Sequence, residues 1–500
     1  MIKNNIEDNL SKLFDKLFIN CKESISNNIA IINDDRTITY SQLDDILNHV
    51  ITNLNNLKLD SNDTIALRIN NPLMLFVFYL SLLKMKISHI IVNPNVTYDL
   101  QEKELNIIKT SVIIQDFIDD RDLTKTVFIN EHLGFSISEN DFKVKKNIKS
   151  ELDKNIAFIF YGSGTTNNPK KIPITWYSFA EQVKRDSSFI DFNKGEKYYT
   201  WTELYYNTPK RRLFSMLLEG LTIYIPSKKP EDIVSFCLKH NINHLALTTS
   251  QSKIMLSNIL SSNKESFLNK FSTLKSLVVS SSIINENLRK NILKYITKNL
   301  YIGYGCNEIG EVTILKPNEI NQYKHSVGKP LEGIELKVFD DNYNIIEHEE
   351  VGNIGIKSNH MINAYYQNEY ATSISFKNGF YFPFDLGLKK DDSTLIFHSR
   401  KDDLIIFSGV NIYPKEIEEV LEKHPSVLEV SVFSLKSEDE EEYPFAAVVL
   451  KTHSTEEDLI NWAKKYLGWK VPMKIFFFDK LPKNTSGKIL KREIIKTIFS

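Results

Sequence analysis

The chain has 500 residues, more than a single hydrophobic core accommodates, so two or more domains are expected. Its 62 basic and 63 acidic residues leave a net charge of -1, which gives no electrostatic case for a nucleic-acid partner. Three scattered cysteines, Cys21, Cys237 and Cys306, suggest neither a disulfide framework nor a zinc site and fit a reducing, cytoplasmic compartment.

The N-terminus mixes Lys3, Glu7, Asp8 and Lys12 with apolar residues, unlike a secretory signal. Thr64 to Ile69 reads as a strand, followed by an apolar helix from Pro72. The apolar run Leu73 to Leu83 is too short to cross a bilayer, which takes about 20 residues, and is read as a core helix. Further strands are expected at Ser88 to Val92, Ser111 to Ile114 and Lys125 to Ile129. An apolar strand from Ile156 then runs into Tyr161-Gly-Ser-Gly-Thr-Thr-Asn-Asn-Pro-Lys170. Such a loop offers unpaired backbone N–H groups, hydroxyls and an ammonium, the groups that hold a chain of phosphates. It is not a Walker A loop, because Pro169 precedes the lysine and Lys171 follows where Ser or Thr belongs.

Alternation resumes with strands at Leu221 to Ile225, His244 to Leu247 and Leu277 to Val279, arguing for a parallel α/β sheet. Ile284, Leu288, Ile292 and Ile296 recur on one helix face. From about Gly328, strand-like runs at Glu335 to Phe339 and Gly352 to Lys357 suggest a small antiparallel or β-barrel-like subdomain. Beyond Arg400 lies a compact α+β pattern: a strand at Leu404 to Phe407, a helix from Pro414 ended by His424-Pro425, and strands at Val427 to Phe433 and Phe445 to Leu450. The acidic run 438–442 reads as a solvated loop. The expected fold is α/β: a large N-terminal domain, 1–399, of parallel α/β sheets with the barrel-like part, and a small mobile α+β C-terminal domain, 400–500.

Five motifs stand in one order: the Tyr161 to Lys170 loop, Tyr304-Gly-Cys-Asn-Glu308, Tyr381-Phe-Pro-Phe-Asp-Leu-Gly387, Ser399 to Glu418, and Pro482-Lys-Asn-Thr-Ser-Gly-Lys488. Their order and spacing resemble the adenylate-forming superfamily of acyl-CoA synthetases, peptide-synthetase adenylation domains and luciferases. The resemblance covers nearly the whole chain, from Thr37-Ile-Thr-Tyr-Ser-Gln-Leu43 onward. It implies an ATP site in which Ser163, Gly164, Thr165, Thr166 and Lys170 cradle the β- and γ-phosphates, and Thr165 and Glu308 hold Mg²⁺. It places Ser281, Tyr304 and Gly305 beside the nucleotide, Asp385 and Arg400 on the ribose, and Asn307 near the phosphates. Lys488 is implied as the catalytic lysine that reaches the α-phosphate, Asp402 as the hinge, and Gly409 as part of the thiol path.

The departures from the family pattern are specific. Asn167 and Lys171 replace glycines, Asn307 replaces a threonine, Pro383-Phe384-Asp385 stands for Thr-Gly-Asp, and Ser399-Arg400 stands for Gly-Arg. Ser280-Ser281-Ser282 stands where a Gly-Gly-Ala turn is usual. All the charged groups remain: Lys170, Glu308, Asp385, Arg400 and Lys488. Tyr206 and Asn207 fall at the acid-pocket motif. An amide there, in place of the aspartate that pairs with an α-ammonium, tilts the expectation toward an aryl, hydroxy or plain carboxylic acid. The implied activity is ATP-dependent activation of a small-molecule carboxylic acid as an acyl adenylate, then transfer to a thiol, either CoA or the phosphopantetheine of a carrier protein. A stand-alone adenylation enzyme of a nonribosomal peptide pathway, a degenerate nucleotide-binding scaffold and, more distantly, a luciferase-like oxygenase are the alternatives.

Overall fold

The computed structural model describes residues 2–60, 62–94, 97–116, 126–130, 136–137, 152–161, 170–261, 271–281, 284–323, 325–407, 410–436, 442–483 and 489–499. Two large sheets carry the N-terminal four-fifths. The first orders its strands Ser136–Ile137, Thr126–Asn130, Val112–Gln115, Thr64–Arg68, Ser88–Ile91, Ile156–Tyr161 and Lys171–Thr175. Its five central strands are parallel, and its two outer pairings are antiparallel. The helix Pro72–Lys84 covers this sheet. Asn71 caps it by accepting from the Met74 N–H, and Pro72 opens the first turn, where its missing donor is harmless. Leu73 through Leu83 are all buried, as expected of a helix apolar on every side.

The second sheet runs parallel from Ile29–Asn33 through Thr222–Tyr224, Lys197–Thr200, His244–Thr248, Ser276–Ser280 and Leu300–Cys306. It then turns antiparallel through Gly310–Leu315, Ser326–Pro330, Leu395–Arg400, Asp385–Lys389 and Gly352–Ser358. The barrel-like subdomain expected from the sequence is therefore corrected: no barrel closes among the described residues. Strands after Gly328 extend the large sheet, because Ser326–Pro330 pairs on one side with Gly310–Leu315 and on the other with Leu395–Arg400.

From Ile405 onward the chain builds a core of its own, around Ile405, Ile412, Ile417, Leu421, Val432, Val448 and Leu459. A three-stranded sheet, Val427–Lys436, Glu442–Leu450 and Ile475–Phe477, backs the helices Pro414–Leu421 and Glu456–Leu467. Among the described residues no helix is long and apolar enough to cross a membrane.

Candidate active site

The predicted phosphate loop connects an antiparallel pair. Ile156–Tyr161 and Lys171–Thr175 hydrogen-bond with Tyr161 opposite Lys171, so the two ends of the loop are clamped together. Ser163, Gly164, Thr165 and Thr166 lie outside the described residues, as do Gly409 and Lys488. Lys170, at the loop's far end, is described. Its ammonium donates to the Tyr365 hydroxyl at 3.4 Å and lies 4.7 Å from the Tyr365 ring centre and 5.6 Å from that of Phe384. Burial pulls the Lys170 pKa below the usual lysine value, against the opposing attraction of Glu308.

Glu308 sits in the middle of the turn 307–309 that follows the strand Leu300–Cys306, at the edge where ligands collect in open α/β sheets. It is buried, and its Oε1 accepts from the Tyr365 hydroxyl at 2.7 Å. Burial and the Glu308 charge push the Tyr365 phenol far above its ordinary range, so it stays a donor. Lys170, Tyr365 and Glu308 thus form one hydrogen-bonded chain.

A second chain runs beside it. Asp385 and Arg400 face each other across an antiparallel ladder. Arg400 Nε lies 3.2 Å from Asp385 Oδ1, and the Tyr304 hydroxyl donates to Asp385 Oδ2 at 2.7 Å. Phe384 joins the two chains, since its ring faces Lys170 and its neighbour is Asp385. Its φ is +62°, left-handed backbone that costs a non-glycine residue roughly 1–2 kcal/mol. The unusual phenylalanine therefore keeps the backbone shape that the expected glycine would supply. Ser281 does likewise at φ +85°, just past the strand Ser276–Ser280 that neighbours Leu300–Cys306.

Gly305 cannot carry a side chain: a Cβ there would sit 2.4 Å from the Gly310 carbonyl oxygen. Asn307 is half-buried in the same turn. From behind, Arg185 donates to the carbonyls of Ile309 and Glu311 at 3.1 and 2.8 Å, and Arg212 pairs with Glu311 at 2.7 Å. Arg211 is held by Asp186 at 2.6 and 2.9 Å. This buried charge network fixes the hairpin that presents Glu308.

The structure brings Lys170, Glu308, Tyr304, Asp385 and Arg400 together. Tyr206 and Asn207 stand apart, at the start of the helix Asn207–Leu218, whose Arg211 and Arg212 reach toward the hairpin. Asp402 lies in an exposed 3-10 turn, Lys401–Asp403, directly after Arg400. Tyr365, Phe384 and Arg185 are missed by sequence reasoning. Their roles arise from contacts over long sequence separations, and no local pattern marks them.

The donor set suits a nucleotide triphosphate with a hard cation: a buried carboxylate, an ammonium with aromatic walls, and a carboxylate–guanidinium pair. Among the described residues no group of three His, Cys, Asp or Glu gathers as a self-contained metal site.

Known proteins resemble this chain over most of its length. A 2-succinylbenzoate–CoA ligase of Bacillus pumilus is 25% identical over 477 residues, 93% of this chain and 94% of its own length. A long-chain-fatty-acid–CoA ligase of Escherichia coli is 29% identical over 357 residues, 69% of this chain, but the match spans only 63% of that ligase. Among solved structures, o-succinylbenzoate CoA synthetase from Bacillus subtilis with ATP and magnesium superposes with a TM-score of 0.80 at 22% identity, covering 96% of this chain and 99% of that one. ATP-bound MatB from Rhodopseudomonas palustris gives 0.84 at 19% identity, covering 96% and 98%. At these identities the superpositions establish the fold. Residues 19–366 match the AMP-binding enzyme family and residues 416–488 match the AMP-binding enzyme C-terminal domain, so the chain belongs to the AMP-binding enzyme family.

Proposed function

We propose that this protein is an acid–thiol ligase: it activates a carboxylic acid with ATP as an acyl adenylate, releasing pyrophosphate, and passes the acyl group to a thiol. The observation that carries this reading is the meeting of two chains at one place, Lys170–Tyr365–Glu308 and Tyr304–Asp385–Arg400. The first has the charges for a triphosphate and its cation. The second can accept hydrogen bonds from two ribose hydroxyls. Mg²⁺, when bound, would neutralise charge on the phosphate oxygens. Glu308, with Thr165, would hold it.

Within this reading the lobe 1–399 binds ATP and acid, and 400–500 acts as a lid carrying Lys488. Lys170 with Ser163, Gly164, Thr165 and Thr166 would grip the β- and γ-phosphates. Ser281 and Gly305 would let the nucleotide approach the backbone closely, and Asn307 would offer its amide near the phosphates. Tyr206 and Asn207 would line the acid site. Similarity to CoA ligases over most of the chain favours CoA as the thiol, with Gly409 on its path; carrier-bound phosphopantetheine presents the same reacting group.

The test is acid-dependent ATP–pyrophosphate exchange on wild type and Lys488→Ala. Lys488→Ala is expected to lower exchange by about 10²–10³-fold, the usual worth of one charge-stabilising donor in a transition state. Transfer from a pre-formed acyl adenylate to CoA should change little, since the phosphoryl step is then already complete. Undiminished exchange in the variant would remove Lys488 from the mechanism.

A further inference from the structure

The first turn of the helix Asn207–Leu218 is largely buried, and it holds an amide without a partner and an ammonium without a counter-charge. Tyr206, at the N-cap, makes no side-chain cap, and Pro209 carries no N–H, so the positive end of the helix rests on the backbone of Asn207 and Thr208 without a capping side chain. Asn207 is 3% exposed, and neither its Oδ1 nor its Nδ2 has a hydrogen-bond partner. Lys210 is 2% exposed and folds back so that its ammonium donates to the Tyr206 carbonyl at 2.8 Å. Residues three apart share a helix face, and helical side chains lean toward the N-terminus. The amide and the ammonium therefore front the same turn.

Three consecutive cations stand on this helix, and they are treated differently. Arg211 is paired with Asp186 and Arg212 with Glu311. Lys210 makes no ion pair with any described residue. Its surroundings are the Tyr79 ring at 5.7 Å, His89, which burial holds neutral with a pKa near 4, and the neighbouring Arg211. Burial, and then Arg211, push the Lys210 pKa down to about 7. A buried cation without a counter-charge is unfavourable by itself and is stabilised by an anion delivered to it.

We propose that Asn207 and Lys210 form a subsite for a second carboxylate on the acid substrate, so that the enzyme activates one end of a dicarboxylic acid while this turn holds the other. The assignment rests on the ligase reading and on this helix lining the acid site. The carboxylate held here is not the reacting one. Among the described hydrogen bonds and ring contacts, Lys210 reaches Tyr206 and Tyr79 and none of Lys170, Tyr365, Glu308, Tyr304, Asp385 or Arg400, and an oxygen neutralised by an ammonium is a poorer nucleophile toward phosphorus. An α-amino acid is disfavoured doubly, because its ammonium would meet an amide and a cation.

The experiment pairs monocarboxylic acids with partners of equal length bearing a second terminal carboxylate, aliphatic and aryl, in pyrophosphate exchange. The diacid of the preferred pair should exceed its monoacid by roughly 10²-fold in kcat/KM, the usual scale for one buried charge pair. Lys210→Met should raise KM for that diacid by a similar factor, leave the KM for ATP unchanged and erase the preference. The same variant should melt no lower than wild type, since a buried unpaired charge is replaced by an apolar side chain of similar shape, and the diacid should raise the melting temperature of wild type only. A monoacid used as well as its diacid, or a Lys210→Met loss shared equally by both acids, overturns the subsite while leaving the ligase reading standing. Exchange with no acid at all overturns both.

Discussion

At the scale of single residues, the hydroxyl of Tyr365 does the most that the sequence does not announce. It accepts from Lys170 and donates to Glu308, so it fixes the spacing between the ammonium proposed for the triphosphate and the carboxylate proposed for the cation. Tyr365→Phe keeps the ring, its packing against Phe376 and its face toward Lys170. It removes only the hydrogen bonds. A hydrogen bond to a charged group contributes about 1.5–3 kcal/mol, so exchange should fall roughly tenfold or more, with a higher Mg²⁺ concentration needed for half-maximal rate. Thermal stability should fall as well, because the buried Glu308 carboxylate loses the donor at 2.7 Å. An unchanged Mg²⁺ requirement would show that Glu308 does not depend on Tyr365. The residues legible in the sequence are those set in spaced motifs: Lys170, Glu308, Asp385 and Arg400 sit in separate motifs, and the fold gathers them. Tyr365 is not legible, because an aromatic pair such as Tyr365-Tyr366 reads as ordinary packing until its partner is known. Nor does the sequence reveal that Phe384 and Ser281 adopt the left-handed backbone expected of the glycines they replace.

At the scale of elements, the parallel strands are readable because each is a short apolar run bounded by turn residues and followed by a helical pattern. The antiparallel part is harder. Its strands alternate, but alternation does not say whether a sheet closes on itself or continues a neighbour, and here the pairing of Ser326–Pro330 on both sides decides for continuation. The hairpin of Leu300–Cys306 and Gly310–Leu315 is positioned by buried charge. Glu311 and Arg212 are 5% and 6% exposed in their side chains. Removing one partner of such a pair strands the other, at a cost of about 3–5 kcal/mol, whereas replacing both by apolar groups is often nearly neutral. Glu311→Gln should therefore lower the denaturant midpoint and the exchange rate together, since the turn carrying Glu308 loses its brace. The double variant Arg212→Met with Glu311→Leu should recover much of the stability. If the single variant is as stable as wild type, the pair does not brace the hairpin.

At the scale of the whole molecule, the chain from Ile405 onward has its own core, and among the described residues polar pairs and one ring contact, His398 with Tyr413, tie it to the preceding lobe. Glu422 meets Lys253 at 3.4 Å and is hydrogen-bonded by Asn285, and His325 lies 3.3 Å from Glu419. Pairs of this kind contribute only about 0–1 kcal/mol each near solvent, so these ion pairs oppose a turn of one part against the other only weakly. Such a motion suits two half-reactions that use one acid site in succession. The strand Leu395–Arg400 is locked into the sheet, but Lys401–Asp403 is an exposed 3-10 turn closed by the Leu404 N–H on the Lys401 carbonyl. A few dihedrals in such a turn can absorb a rotation. Proline fixes φ near -65°, within the range of a 3-10 turn. Asp402→Pro should thus hold the arrangement seen here and hinder the other, lowering either adenylation or thioester formation by an order of magnitude or more while sparing its counterpart. The two rates are separable: pyrophosphate exchange reads the first, and release of acyl thioester from a supplied acyl adenylate reads the second. A parallel fall in both, or no change in either, would place the pivot elsewhere in the chain.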